Sequence, residues 1–237
     1  MIRLARATKY PFPQQGELQV KKLIWIAAFS MAAFLDFAIG TFIAAVVGKV
    51  MNVPVTWWHL AIAGVVALSP DMLQIVNSKL TKQEAFGGLH HETWDHWPIP
   101  LMFVGGLVGS VCGGGYWAIT VFLCLFFHFT HDMEIGNTGG IAFFAPFERD
   151  RYFAWWRGFY DPATSAMFRP ENQLDPWIRE NWLCPSRMSL IELSLGMLAL
   201  SIAAHLVLGT VVAEALLAAV AAGTIGVWFL AARLNMT

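Results

Sequence analysis

Long apolar runs separated by short polar segments dominate the sequence. The runs cover residues 23–47, 57–68, 101–115, 116–129, 190–208 and 211–232. A membrane helix needs about 20 mostly apolar residues, so the run at 57–68 is short unless it begins near Val53. We therefore predict an all-α fold, a polytopic membrane helix bundle of about six spans with interfacial helices on the cytoplasmic side.

Proline and glycine mark the joins between the predicted helices. Ser69-Pro70-Asp71 is typical of a helix start with serine as the cap, and we expect a short non-spanning helix over 70–82. Residues 83–98 follow as a polar loop. Gly105, Gly109 and Gly113 fall on one helical face, which permits close helix packing. A Gly209-Thr210 turn joins the last two runs.

Four segments follow from this pattern. We predict a cytoplasmic leader at 1–22, a membrane bundle carrying the metal-site motifs at 23–133, a cytoplasmic interfacial segment at 134–187, and a C-terminal helical hairpin at 188–237. Four tryptophans in the third segment indicate helices lying flat in the headgroup layer. They are Trp155, Trp156, Trp177 and Trp182.

Composition supports a membrane protein and argues against other classes. The chain is 57% hydrophobic and 13% charged, whereas a soluble domain has about 25% charged residues. The net charge of -1 gives no electrostatic case for nucleic acid. The 3 cysteines form no C-x-x-C pair, so the sequence indicates neither a disulfide framework nor a cysteine zinc site.

The basic residues set the expected orientation. With six spans and the N-terminus inside, every lysine and arginine except Lys49 falls in an inner segment. Such asymmetry follows the positive-inside rule and predicts a multi-pass protein of the inner (plasma) membrane with both termini cytoplasmic. All the polar islands described next then lie on the cytoplasmic face.

Three polar islands hold the candidate chemistry. They are residues 69–71, 90–97 and 128–132, and they contain five of the seven histidines of the chain, together with Asp71, Asp95 and Asp132. Imidazole nitrogens and carboxylate oxygens are zinc ligands. His128 and Asp132 are four residues apart and share a helical face. His91 and His96 are five apart and meet one centre only if their loop folds around it.

Other polar residues have more ordinary interpretations. Histidines at membrane interfaces are commonly structural, and His90 and His131 are either partners that orient a ligand or neighbours without a role. We expect Asp36 and His205, both within apolar runs, to pair and hold two helices together. Glu192 and Glu214 open their runs, and we expect both to be solvated.

The order of these motifs resembles that of a known family. Pro70-Asp71, His91 with His96, then His128 with Asp132, followed by Gly136 and Pro146-Phe147, resemble the YdjM-like family of LexA-binding, inner-membrane-associated, metal-dependent hydrolases. The resemblance covers roughly residues 55–150. Four positions depart from the family pattern, where a second acid, an arginine, a threonine and a serine are expected: Leu73, Glu92, Asp95 and Trp97.

The resemblance implies a metal site and a reaction class. It makes five residues the metal-ligand candidates: Asp71, His91, His96, His128 and Asp132. The His-x-x-x-Asp element is also similar to one in zinc-dependent phospholipase C and related nucleases, which implies phosphodiester chemistry. We expect a divalent metal, zinc, as one or two ions, with Asp95 or Glu92 as general base.

Two classes of function remain open at this point. The first is an integral membrane hydrolase acting on an amphiphilic substrate, such as a phosphate ester or a phospholipid, at the cytoplasmic interface. The second is a non-catalytic membrane subunit or scaffold that docks a protein partner through 134–187. A transporter, which would rest on Asp36 and His205 alone, is the weakest alternative, because the sequence lacks the repeats that such folds show.

Overall fold

The computed structural model describes residues 15–81, 94–133, 140–148, 151–155, 158–160 and 174–236. These residues are mainly helical. The helices are Gln15–Ala32 (α1), Phe34–Met51 (α2), Trp57–Ala67 (α3), Ser69–Thr81 (α4), Pro98–Asp132 (α5), Leu174–Asn181 (α6), Arg187–Val207 (α7) and Thr210–Arg233 (α8). A 3-10 turn, Trp94–His96, precedes α5, and two short strands, Tyr152–Ala154 (β1) and Gly158–Tyr160 (β2), follow it.

Several helices are long and apolar enough to cross a membrane. Among the described residues these are the 4 helices α2, α5, α7 and α8, and a fifth candidate is the pair α3–α4, which is bent by 52°. The mainly helical fold is therefore confirmed, with several helices that could cross a membrane. The count of six spans and the cytoplasmic position of the interfacial helices stay predictions.

The first predicted span is divided in two by the structure. Helix α1 already begins at Gln15, inside the predicted leader, and ends at Ala32, while α2 begins at Phe34. No proline or glycine marks this break, so the sequence pattern gave no signal for it. As a consequence, Asp36 lies in the first turn of α2 rather than in the middle of a span.

Helix α2 is the central element of the bundle. It packs against α3, α5 and α7. Its Gly40 allows the closest approach, because a Cβ there would collide with the backbone carbonyl of Ala63 and the side chain of Ala67. The small residues of α2 and α3 thus bring the two backbones together, as small residues do in membrane helix pairs.

Helix α5 is a helical hairpin. Gly113 and Gly114 have non-helical backbone angles, and Gly114 has φ 70° and ψ -161°, a conformation open essentially to glycine alone. Residues 98–112 and 115–132 form two legs in contact, since a Cβ on Gly105 would meet Leu125 and one on Gly109 would meet the carbonyl of Trp117. The predicted close packing through the glycine face is confirmed.

The segment between α5 and α7 differs from the prediction of flat interfacial helices. Strands β1 and β2 pair antiparallel. Among the described residues of 134–186, α6 is the one helix. Trp182 is fully buried rather than interfacial, because it packs with Ile178 in a cluster shared with α1, α7 and α8. Trp155 is exposed, and its indole N–H donates to the Thr130 carbonyl at 2.9 Å. Trp156 and the side chain of Trp177 lie outside the described residues.

Helices α7 and α8 form the predicted C-terminal hairpin. Gly209 joins them with φ 91°, a left-handed conformation that favours glycine. His205 is exposed near this turn, where its Nδ1 lies 3.2 Å from the Thr210 hydroxyl. The expected pairing of His205 with Asp36 is therefore wrong.

Candidate metal centre

Three separate segments bring their polar side chains to one point. Asp71 from α4, His96 from the 3-10 turn and His128 from α5 each offer a ligand atom, and these atoms all lie within 4.8 Å of one another. The Asp71 Oδ1 is 3.4 Å from the Nε2 of His96 and 3.9 Å from the Nε2 of His128. Ligands around a tetrahedral zinc are roughly 3.3–3.6 Å apart, so this group can hold a metal ion.

The bend between α3 and α4 positions Asp71. Ser69 begins α4, yet its hydroxyl donates back to the Val66 carbonyl at 2.7 Å. Ser69 is thus the first residue within α4 rather than its cap, and its side chain bonds to the last turn of α3. Asp71 lies in the first turn of α4, where the helix dipole favours a negative charge.

The hairpin of α5 positions both other segments. Its first leg starts at Pro98, directly after the 3-10 turn that carries His96. Its second leg returns His128 and Asp132 to the same end of the bundle. The two imidazole rings have centroids 5.8 Å apart. Both histidines are fully buried, which places the site inside the protein rather than on its surface.

Asp132 lies beside this group, and its predicted role as a metal ligand stays a prediction. Its Oδ2 lies 3.2 Å from the Nε2 of His128 and 3.8 Å from the Nε2 of His96. The side chains of Asp71 and Asp132 are 27% and 16% exposed, whereas the imidazoles are 0% exposed. The carboxylates therefore form the open side of the cluster, and the imidazoles form its buried side.

A second carboxylate lies behind each imidazole. The Nδ1 of His96 is 3.3 Å from the Asp95 Oδ1, and the Nδ1 of His128 is 3.6 Å from the Asp36 Oδ2. Such carboxylates fix the tautomer and the ring orientation of metal-binding histidines. Asp95 is fully buried and faces the Nδ1 of His96, whereas Asp71 faces the Nε2. The role of Asp95 as general base stays a prediction.

Asp36 extends the cluster into the bundle. Its Oδ1 lies 3.2 Å from the Nδ1 of His131, and the Nε2 of His131 lies 3.8 Å from the Oε1 of Glu192. Glu192 is 5% exposed, so the expectation that it is solvated is wrong, while Glu214 is exposed as expected. The only feature of the sequence that pointed to a role for Asp36 and Glu192 is that each is an ionisable residue in an apolar run.

The electrostatics of the site favour positive charge. Burial alone lowers the pKa of the His96 imidazole, but its hydrogen bonds to Asp71 and Asp95 and the nearby Asp132 outweigh burial and raise it from 6.5 to about 9. Both ring nitrogens of His128 are buried and make no hydrogen bond among the described residues. Buried polar atoms of this kind call for a ligand, and a cation between the carboxylates supplies one.

Four polar residues of the second island lie outside the described residues. They are His90, His91, Glu92 and Thr93. The roles predicted for His91 as a ligand and for Glu92 as a base therefore stay predictions.

No protein-family model, no curated protein and no solved structure matches this chain. The resemblance to the YdjM-like family therefore stays a prediction.

Proposed function

We propose that the protein is an integral membrane hydrolase that depends on a divalent metal ion, zinc, bound by Asp71, His96 and His128. The observation that carries this proposal is the convergence of three ligand atoms from three segments within 4.8 Å of one another. Two histidines and one carboxylate are the ligand set of several catalytic zinc sites, which keep a fourth position for water.

Asp132 is the residue we assign as general base beside that fourth position. Its side chain is 16% exposed, and its Oδ2 lies 3.2 Å from the Nε2 of His128 and 3.8 Å from the Nε2 of His96. A bound divalent metal lowers the pKa of a coordinated water toward about 7. A metal ion held by Asp71, His96 and His128 would activate such a water for attack on an ester, and Asp132 would accept the proton of the water and deliver it to the leaving alcohol.

Asp95 and Asp36 are positioning residues in this proposal. Each lies against the Nδ1 of one imidazole and leaves the Nε2 to face the ion. A carboxylate in this position raises the basicity of the ligand and holds the ring in place. Because His131 and Glu192 continue from Asp36, helices α2, α5 and α7 all contribute to the position of His128.

The substrate class follows from chemistry and location. The part of the chain that the structure describes has 4 helices apolar enough to span a membrane, and the basic residues favour a cytoplasmic position for the site. The resemblance of the His-x-x-x-Asp element to phospholipase C and nuclease motifs favours a phosphate ester. We therefore assign the protein an amphiphilic phosphate ester at the inner leaflet of the plasma membrane.

The test is hydrolysis by purified full-length protein. Zinc-loaded protein in vesicles of phosphatidylethanolamine and phosphatidylglycerol is incubated, and released headgroups and water-soluble phosphates are measured. The His128→Ala and His96→Ala variants should lose the activity, whereas His59→Ala and His205→Ala, histidines distant from the site, should keep it. Equal turnover in all four variants, or none in zinc-loaded wild type with any phosphate ester tried, would contradict the proposal.

A further inference from the structure

An apolar groove runs between the α3–α4 pair and the hairpin of α5. Its volume is about 470 Å³, within the range of about 300–1,000 Å³ typical of ligand pockets. The lining includes Ile62, Val66, Leu73, Val104, Val108 and Val121. The one hydroxyl in its lining, that of Ser69, donates to the Val66 carbonyl and is thereby satisfied. The surface of the groove is therefore mainly apolar.

The dimensions of the groove match one leaflet of a membrane. It follows the first leg of α5 from Leu101 to Cys112, which at 1.5 Å per residue is about 16 Å. Half of a hydrocarbon core of about 30 Å is about 15 Å. Because both legs of the α5 hairpin are strongly apolar, we expect hydrocarbon to surround this part of the protein.

The floor of the groove leads directly to the candidate metal centre. Three residues of the second leg line the groove: Trp117, Val121 and Leu125. They are spaced four residues apart, so they share one face of the helix. This face continues with His128, three residues after Leu125, and with Asp132, four residues after His128. From Leu125 to His128 the rise along the helix is about 4.5 Å, less than one turn.

We propose that this groove binds one hydrocarbon chain of a membrane lipid and that the lipid's polar head then lies at Asp71, His128 and Asp132. The groove is walled by α3, α4 and both legs of α5, unlike the convex outer faces of the bundle. Leu73, at the position where the resembled family has a second acid, lines the groove and keeps its wall apolar. The identity of the head as a substrate rests on the proposed hydrolase, but the binding of the chain does not.

The test is photo-crosslinking of full-length protein in vesicles of phosphatidylethanolamine and phosphatidylglycerol. The probe is a trace of phosphatidylglycerol with a diazirine in the middle of one acyl chain, and crosslinked peptides are mapped by mass spectrometry. Val108→Trp fills the groove. Val111→Trp on the same leg is the matched control, because Val111 is 81% exposed and does not line the groove.

The wild type should crosslink mainly within 62–73 and 101–125, and Val108→Trp should lower that labelling about fivefold. Val111→Trp should leave it unchanged. Val104→Trp replaces Val108→Trp if the latter melts at a lower temperature than wild type. Labelling spread evenly over all exposed faces and unaffected by both groove variants would overturn the proposal and show bulk lipid only.

Removal of zinc by dialysis against a chelator separates this proposal from the proposed function. The metal-free wild type should lose hydrolysis but keep the crosslinking pattern, because the groove needs no metal. Preserved crosslinking without hydrolysis in the zinc-loaded wild type would overturn the hydrolase and leave the lipid site standing. Loss of groove labelling in the folded metal-free protein would overturn the groove as an independent binding site.

Discussion

Asp95→Asn tests whether a buried carboxylate positions His96. In the structure the Asp95 Oδ1 lies 3.3 Å from the Nδ1 of His96, and both side chains are 0% exposed. Asparagine keeps the size and an acceptor oxygen but removes the charge. A hydrogen bond to a charged group is worth about 1.5–3 kcal/mol and a neutral one about 0.5–1.5 kcal/mol, so the variant loses about 1–1.5 kcal/mol. Since 1.4 kcal/mol is tenfold, zinc affinity should fall about tenfold.

The assay is competition for zinc between the purified protein and a chromophoric chelator at fixed pH. Glu214→Gln, which removes an exposed carboxylate from α8, is the control and should keep the wild-type affinity. Melting temperatures of the metal-free proteins confirm that the bundle is intact. If Asp95→Asn binds zinc as tightly as wild type but hydrolyses nothing, Asp95 is a general base and the positioning role is wrong.

Three further predictions concern charge, pH and the hairpin. Asp36→Asn should lower zinc affinity by about tenfold or more, because it neutralises the carboxylate behind His128, and unchanged affinity in the same chelator assay would contradict this. Between pH 6.5 and about 9, zinc must displace the proton of His96. The zinc affinity should therefore rise with pH by about tenfold per unit for each proton released. A zinc affinity that does not change with pH, measured by calorimetry, would contradict this. Gly114→Ala, at φ 70°, should destabilise the protein by about 1–3 kcal/mol, whereas Gly226→Ala, whose Cβ would meet nothing within 4 Å, should not lower the melting temperature.

The helices and the turns between them could be predicted, because apolar runs indicate membrane helices and glycines indicate the turns that connect them. The predicted hairpin of 190–208 and 211–232 matches α7 and α8 to within three residues at each end. The 3.6-residue period also places His128 and Asp132 on one face. These features depend on local spacing alone.

Features that depend on the rotation and breaks of helices were not predictable in this way. Asp36 contacts His128 and His131, and no residue type marks the nearby helix break at Ala33. Glu192 faces the interior because of how α7 packs against α2, which the spacing along α7 does not reveal. Both errors arose because an ionisable residue in an apolar run indicates a function without indicating its partner.

The role of Asp95 shows the same limit within the site. The sequence places Asp95 and His96 side by side, which is compatible with either a base or a positioning residue. Only the fold reveals that Asp95 meets the Nδ1 atom of His96 while Asp71 and Asp132 meet its Nε2. The distinction depends on which nitrogen faces the cluster, and no sequence pattern contains that information.

X-ray absorption at the zinc edge of the loaded full-length protein tests the metal centre most directly. The account predicts one zinc per chain with two imidazole nitrogens and carboxylate oxygen at about 2.0–2.2 Å and no sulfur. The His96→Ala variant should lose this signal. A wild-type protein that retains no zinc after dialysis, or that binds it through sulfur at about 2.3 Å, would contradict the assignment of Asp71, His96 and His128 as its ligands.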